Sequence, residues 1–227
     1  MKACLFGSTG VIAEKSRLER LAYNAAFKEL DLDVYWNVAT YCKLLEIPGG
    51  LRRLETVFGD EWLAGLTEEV FELQQNHFER LARTGLSLRP GVAETLAYCT
   101  ERGIRRAWVT TASRAMIKTL LTHTEGLNPD TFELVLTRED AARDKPDPSV
   151  YRRALEVLNL EPQDVIAIED SPAAQASALA ADIQCYLYAS EYALIDNNVL
   201  ATHDLAQTID RVHRLWSGYT QWAELET

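Results

Sequence analysis

Four groups of polar residues in this sequence each follow an apolar run. Gly7-Ser8-Thr9-Gly10 follows Ala3 to Phe6, and Thr110-Thr111 follows Ala107 to Val109. Lys145 lies in a Lys145-Pro146-Asp147-Pro148 loop beyond Phe132 to Leu136, and Glu169-Asp170 follows Val165 to Ile168. Short apolar runs bounded in this way read as buried strands, and in an open α/β sheet ligands bind beyond the C-terminal ends of the strands. Gly7 and Gly10 permit backbone geometry in which the N–H groups of Ser8, Thr9 and Gly10 turn toward an anion. The set then holds hydroxyls at Thr110 and Thr111, an ammonium at Lys145 and a carboxylate pair at Glu169 and Asp170. Those are the groups that a phosphate and a divalent metal ion require. Taken singly, each has an ordinary explanation: a turn, a hydroxyl at a helix start, a solvated lysine, a helix N-cap.

The elements that must position these groups follow from periodicity and punctuation. Ser16 with Glu19 has the form of a capping box, and Leu18, Leu21, Ala22, Ala25 and Ala26 continue as one helical face. A second helix is expected over Asn37 to Glu46, stopped by Pro48-Gly49-Gly50, and a third from Leu51 to Phe58. Gly59-Asp60 is expected to open a long helix through Trp62, Val70, Leu73 and Phe78 to Leu81. Residues 14–86 therefore read as an all-helical insertion. From Leu88 onward, helices over Val92 to Arg102, Ser113 to Leu121, Ser149 to Leu158 and Pro172 to Ala181 alternate with the strands, the last of which is Gln184 to Tyr188. A final helix is expected from Asp204 to Trp216. Strands alternating with helices predict a parallel sheet covered on both faces, so the strand ends line one edge. The implied division is an α/β core of residues 1–13 and 87–227, and a helical cap of residues 14–86.

Bulk properties narrow the ligand. The chain has 227 residues and a net charge of −11, which disfavours a broad contact with nucleic acid. No apolar run approaches the roughly 18 to 20 residues that a membrane span needs, and Met1-Lys2 runs straight into a strand with no signal-peptide pattern. The cytoplasm is the expected location. Cys4, Cys42, Cys99 and Cys185 are widely spaced, and Cys4 and Cys185 lie in apolar runs expected to be buried. His77, His123, His203 and His213 form no metal-binding spacing.

With these residues in this order, the chain resembles the haloacid dehalogenase-like superfamily over essentially its whole length. The family's second motif, a hydroxyl residue after a strand, matches Val109-Thr110-Thr111-Ala112-Ser113. Its third matches Lys145-Pro146-Asp147-Pro148, and its fourth Ile168-Glu169-Asp170-Ser171-Pro172. Residues 14–86 resemble the four-helix cap of the sugar-phosphate phosphatase and β-phosphoglucomutase branch. Tyr23 to Phe27, Trp36 to Val38 and Leu44 to Gly50 look most similar to the xylulose bisphosphate phosphatases of carbon fixation. The resemblance implies a Rossmann-like fold and Mg²⁺-dependent phosphatase chemistry. It assigns phosphate binding to Ser8, Thr9, Gly10, Thr110, Thr111 and Lys145, and metal binding to Asp170 and Glu169 with a backbone carbonyl at Thr9.

The first motif departs from the pattern. The family has two aspartates there, a nucleophile and an acid/base, where this chain has Gly7 and Thr9. Glycine has no side chain with which to form an aspartyl-phosphate intermediate. Ser8 is one residue out of place and has no evident base. In the cap, relatives place a basic residue directly after the Gly-Gly pair; here Leu51 stands there, followed by Arg52 and Arg53. The leading expectation is a pseudo-phosphatase that binds phosphate or a sugar phosphate without efficient turnover, with Mg²⁺ weak or absent. Two alternatives stand beside it. One is an active Mg²⁺-dependent hydrolase with unconventional chemistry; the other is an interaction protein with a vestigial site, engaging a protein partner through its cap or through Trp216, Tyr219 and Trp222.

Overall fold

The computed structural model describes residues 1–47, 49–62, 65–194 and 201–214. In chain order, β1 (Ala3–Phe6) is followed by the one-turn helix α1 (Thr9–Ile12), α2 (Ser16–Glu29), α3 (Val38–Leu44), α4 (Gly50–Trp62), α5 (Thr67–Ala82) and α6 (Val92–Glu101). Then come β2 (Arg105–Val109), α7 (Arg114–His123), β3 (Leu134–Leu136), α8 (Ser149–Leu158), β4 (Val165–Glu169), α9 (Pro172–Leu179) and β5 (Gln184–Leu187). A last helix covers 205–214 within the described residues. The strands form one parallel sheet in the order β3-β2-β1-β4-β5. The chain runs outward from β1 through β2 to β3, then returns to β4 on the other side. The reversal of strand order falls at β1 and β4, where α/β sheets form their ligand crevice.

Side-chain alternation divides the interior into two layers. Cys4 and Phe6 of β1 join Trp108, Ile166 and Ile168 on one face, under α6, α7 and the last helix. Ala3 and Leu5 join Ala107, Val109, Val165 and Ala167 on the other, under α8 and α9. Because helices cover both faces, β1 and β4 are buried at every position, which is why they read as unbroken apolar runs. Burying each large side chain such as Phe6 or Leu5 contributes about 1.5–3 kcal/mol. Cys4 is fully buried as expected, whereas Cys185 is only half-buried, because β5 is a sheet edge.

Helices α2 to α5 have their own aromatic core. Tyr23, Phe27, Trp36 and Tyr41 pack with Leu54 and Val70, and Tyr192, from the segment after β5, reaches into the same cluster. Asn24 fixes Trp36 by accepting its N–H at 2.8 Å and donating to its carbonyl at 3.0 Å.

Several local expectations are corrected. Ser16 is already helical, and Lys15 occupies the N-cap without a side-chain cap bond. The capping box does not form because the Lys15 ammonium, at 2.6 Å, draws Glu19 away. Gly59 has φ 70° and ψ 167°, a conformation that kinks α4 into two helical pieces, so a helix does resume after it but reaches only Trp62, and the long helix expected from Gly59 begins at Thr67 as α5. β2 is longer than expected at its start and β3 shorter. Ser113 does cap α7, accepting the Met116 N–H at 3.2 Å, and Pro172 stands in the first turn of α9. Trp216, Tyr219 and Trp222 lie outside the described residues.

Candidate functional site

The four polar groups do converge at one edge of the sheet. Ser8, Thr9, Thr110, Thr111, Lys145 and Asp170 all line a single cavity of about 250 Å³ beyond the strand ends. Its other wall comes from the helical segment, with Lys15, Glu19, Gly50 and Arg53, and Arg138 closes it from beyond β3.

The loop after β1 is held by the strand beside it. The Gly7 N–H extends the ladder, donating to the Ile168 carbonyl at 2.9 Å. The Ser8 N–H donates to Glu169 Oε2 at 2.9 Å, and the Gly10 N–H to Asp170 Oδ2 at 3.1 Å. The loop amides thus turn toward anions as expected, but those of Ser8 and Gly10 already meet the chain's own carboxylates. Arg89 pins the far side of the loop. Its guanidinium lies over the Tyr188 ring at 3.7 Å and donates to the carbonyls of Gly10 at 2.6 Å, Tyr188 at 2.9 Å and Ala189 at 2.6 Å.

Lys145 is 5% exposed, not a solvated lysine. Its ammonium donates to the Val109 carbonyl at 2.8 Å and to Glu169 Oε1 at 2.5 Å. A lysine has three N–H donors, so these two bonds leave one. Glu169 is completely buried. Its Oε1 also accepts from the Tyr151 hydroxyl at 2.5 Å. Burial, together with the Glu169 charge, pushes the Tyr151 phenol well above its ordinary value. Asp170 has a different environment: it lines the cavity, and burial and the Glu169 charge raise its carboxyl to about 6 against the pull of Lys145 and Lys15. Thr110 is buried, its N–H on the Leu136 carbonyl at 3.0 Å and its Oγ1 accepting the Ala112 N–H at 3.1 Å.

The helical wall brings a second set of charges. Arg53 is buried, donating through Nε to the Leu44 carbonyl at 2.8 Å and through Nη2 to the Ile47 carbonyl at 3.2 Å, with its guanidinium 5.5 Å from the Tyr41 ring centroid. Arg52 next to it is exposed, so of the two arginines after the Gly-Gly pair only Arg53 faces the site. Burial opposes ionisation of Glu19, but the charges of Lys15 and Arg53, with the hydrogen bond from Lys15, hold its carboxyl below the ordinary value. Lys15, Arg138 and Tyr151 carry no site assignment from the sequence, and Glu19 only that of a capping box. Arg138 alone of these has a signal there, lying two residues beyond the end of β3.

Mg²⁺ is the ion that phosphatases of this fold typically use. It binds through oxygen ligands in near-ideal octahedral geometry, commonly one or two carboxylates with waters and phosphate oxygens. Here both Glu169 oxygens are engaged within the protein, and the Thr9 carbonyl accepts the Ala13 N–H at 3.1 Å. Among the described residues no three His, Cys, Asp or Glu side chains are grouped so as to hold a metal ion. Of the other carboxylates that line the cavity among the described residues, Glu19 is paired with Lys15 and Glu46 belongs to the helical wall, which leaves Asp170 at the strand ends, so the residues present do not fit a tightly resident ion.

A Rossmann-like sheet, a helical segment inserted after β1 and a strand-end cluster of hydroxyl, lysine and carboxylates define a phosphatase-type fold. A family profile described as haloacid dehalogenase-like hydrolase matches residues 1–181, and the chain belongs to that family. It is 35% identical over 197 residues to the CbbY protein of Rhodobacter capsulatus, covering 85% of this chain and 87% of the relative. A crystal structure of an Asp-to-Asn variant of CbbY from Rhodobacter sphaeroides, in complex with xylulose-1,5-bisphosphate, superposes with a TM-score of 0.81 at 28% identity over 88% of this chain and 92% of that one. CbbY from the same organism in complex with phosphate matches equally well, with a TM-score of 0.81. A β-phosphoglucomutase-type structure from Thermotoga maritima shares the fold at 21% identity, with a TM-score of 0.73 over 93% of this chain and all of that one. Among the described residues no helix is long and apolar enough to cross a membrane.

Proposed function

We propose that this chain is a pseudo-phosphatase: it binds phosphate or a sugar phosphate at the strand-end cavity and does not turn it over efficiently. The observation that carries this reading is the absence of a carboxylate at Gly7, in the loop beside a cavity lined by Thr110, Thr111 and Lys145, by the cationic groups of Lys15, Arg53 and Arg138, and by the carboxylates of Glu19, Glu46 and Asp170. A nucleophilic route to an acyl phosphate needs a side chain that glycine lacks, and Thr9 is not an acid/base carboxylate. Glu169 does not replace the nucleophile, because its carboxyl is fully buried and both oxygens accept hydrogen bonds. Residues 14–86 act in this reading as the cap over a core of 1–13 and 87–227, contributing Lys15 and Arg53. Mg²⁺ binds weakly or not at all. The CbbY relatives crystallise with phosphate and with xylulose-1,5-bisphosphate, which makes those two ligands the first to test.

The test is ligand-dependent stabilisation. A ligand that binds only the folded state at 100 times its Kd adds about 2.7 kcal/mol. Phosphate or a sugar bisphosphate is therefore expected to raise the Tm of the wild-type chain, and Arg53→Ala with Arg138→Ala to remove the rise. A chain stabilised by none of these ligands would sink the reading. Phosphate release that depends on Mg²⁺ and falls in Asp170→Ala would favour an active hydrolase instead.

A further inference from the structure

Lys15 stands at the wrong end of a helix for a cation. It is the N-cap of α2 and makes no cap bond with its side chain. The N-terminus of a helix carries partial positive charge and favours anions. Lysine four residues ahead of glutamate is also the less favourable order of an i, i+4 pair. Helix stability therefore does not account for an ammonium at this position. The side chain is nonetheless held in place: only 12% of it is exposed, and its one hydrogen-bond partner among the described residues is Glu19 Oε2, at 2.6 Å. Two of its three N–H donors remain. Lys15 lines the strand-end cavity and also a cavity of about 330 Å³ that adjoins it, and Thr9 and Asp170 line both. The ammonium thus sits where the helical wall meets the strand ends, and its charge acts on Asp170 as well as on Glu19.

Asp170 is the carboxylate that needs such a charge. Glu19 is paired with Lys15, whereas Asp170 Oδ2 accepts the neutral Gly10 N–H at 3.1 Å. A phosphate dianion entering beside Asp170 meets like charge. Phosphatases of this fold typically answer that with Mg²⁺, and the residues present here do not fit a tightly resident ion. A lysine, with a compact charge and three rotatable donors on a flexible four-carbon stem, can answer it from within the chain. We propose that the Lys15 ammonium takes the place of a divalent ion at the strand ends, balancing the Asp170 carboxylate and donating to the bound phosphate from the side of the helical wall. The proposal rests on the phosphate-binding reading and adds to it that binding requires no metal. Arg53, whose charge also acts on Glu19, keeps that carboxylate balanced when Lys15 serves the phosphate.

Calorimetric titration with inorganic phosphate tests this first on the wild-type chain. Phosphate is expected to bind in EDTA, and Mg²⁺ at about 5 mM to change its affinity by less than about twofold. Binding that requires Mg²⁺ would overturn the proposal and leave the phosphate reading standing. Binding under neither condition sinks the phosphate reading itself, and the response to Mg²⁺ alone then decides whether Lys15 occupies a cation's place. Lys15→Gln removes the charge and keeps a donor for Glu19. In EDTA it is expected to bind phosphate about tenfold more weakly, for one charge-assisted bond lost, while Lys15→Arg stays within roughly threefold of wild type. In the absence of phosphate, about 5 mM Mg²⁺ is expected to raise the Tm of Lys15→Gln by at least about 3 °C, against less than about 1 °C for wild type. Adding Asp170→Asn to Lys15→Gln should abolish that rise. A Lys15→Gln protein as indifferent to Mg²⁺ as wild type would overturn the proposal. If Lys15→Gln does not fold, Lys15→Met, with an unbranched and adaptable side chain, is read in the same way.

Discussion

Ser8 and Glu169, 161 positions apart in sequence, are joined by a hydrogen bond of 2.9 Å from the Ser8 N–H to Glu169 Oε2. Asp170 makes the same kind of bond to Gly10 at 3.1 Å. Two consecutive residues at the end of β4 therefore hold the first loop from below, and Arg89 holds it from the side. Here those restraints persist around a loop that carries no carboxylate.

Arg89 supplies a direct measure of that restraint. Its guanidinium donates to the carbonyls of Gly10, Tyr188 and Ala189 and stacks on Tyr188. Hydrogen bonds from a charged donor contribute about 1.5–3 kcal/mol each and do not add fully. Arg89→Ala is expected to cost about 2–4 kcal/mol in chemical denaturation. Arg89→Lys should recover less than half, because an ammonium cannot reproduce a planar fork that reaches several carbonyls while stacking on a ring. Full recovery by lysine would mean that charge alone matters at this position.

The buried charges of the helical wall predict an acid dependence. The Glu19 carboxyl is held below its ordinary value of 4.5 because Lys15 and Arg53 together outweigh the cost of burial. A depressed carboxylate contributes stability that is complete above its unfolded value and is lost as pH falls through its lower, folded one. Glu19→Gln is expected to be about 3 kcal/mol less stable than wild type at pH 7, the scale for breaking a buried pair. The gap should close as pH drops below 4.5, where wild type loses the same charge. Unfolding curves of both proteins from pH 3 to 7 would show it; a gap that does not change with pH removes Glu19 from the account.

Much of the fold was legible because the physics that shapes it is local. β1 and β4 are covered on both faces, so they appear as apolar runs, and Ser113 and Pro172 mark helix starts by chemistry confined to one turn. The helical segment was harder. Glu19 sits three residues after Ser16, as a capping box requires, but its partners are Lys15 and Arg53, and nothing near Ser16 announces an arginine 34 positions away. Gly59 reads as the start of one long helix, whereas its φ of 70° only kinks α4 and the long helix starts eight residues later, at Thr67. The site was legible as a collection of strand ends and not as a set of bonds. Glu169 and Asp170 were read as one acidic pair, although neighbours in an extended segment project to opposite sides. That rule separates them as the structure does: Glu169 inward to Lys145, Asp170 to the cavity.

Metal dependence follows from this separation. With Glu169 engaged by Lys145, Tyr151 and Ser8, and Glu19 by Lys15, Asp170 is the carboxylate that the strand ends offer a divalent ion in the cavity. Mg²⁺ at 5 to 10 mM, about the range needed to reveal a millimolar site, is expected to raise the Tm of the wild-type chain by less than about 1 °C. Asp170→Asn should leave that response unchanged. A rise of several degrees that vanishes in Asp170→Asn would place an ion there.

Restoration of chemistry is the most demanding outcome to meet. Putting back the two aspartates of the first motif, Gly7→Asp with Thr9→Asp, returns a nucleophile and an acid/base only if the new carboxylate at position 7 has room. Its Cβ alone would overlap the Glu169 carboxyl group, and two carboxylates forced together beside one lysine repel each other. The double variant is therefore expected to be less stable than wild type and to release little phosphate from sugar phosphates. Adding Glu169→Ala vacates the volume and leaves Lys145 paired with the new aspartate. The triple variant should be more stable than the double one, and with Mg²⁺ its phosphate release should exceed the double variant's by at least tenfold, the equivalent of about 1.4 kcal/mol of transition-state stabilisation. A double variant that is already stable and active would show that Glu169 yields its place freely, and that the carboxylate at the end of β4 does not control what the loop after β1 can hold.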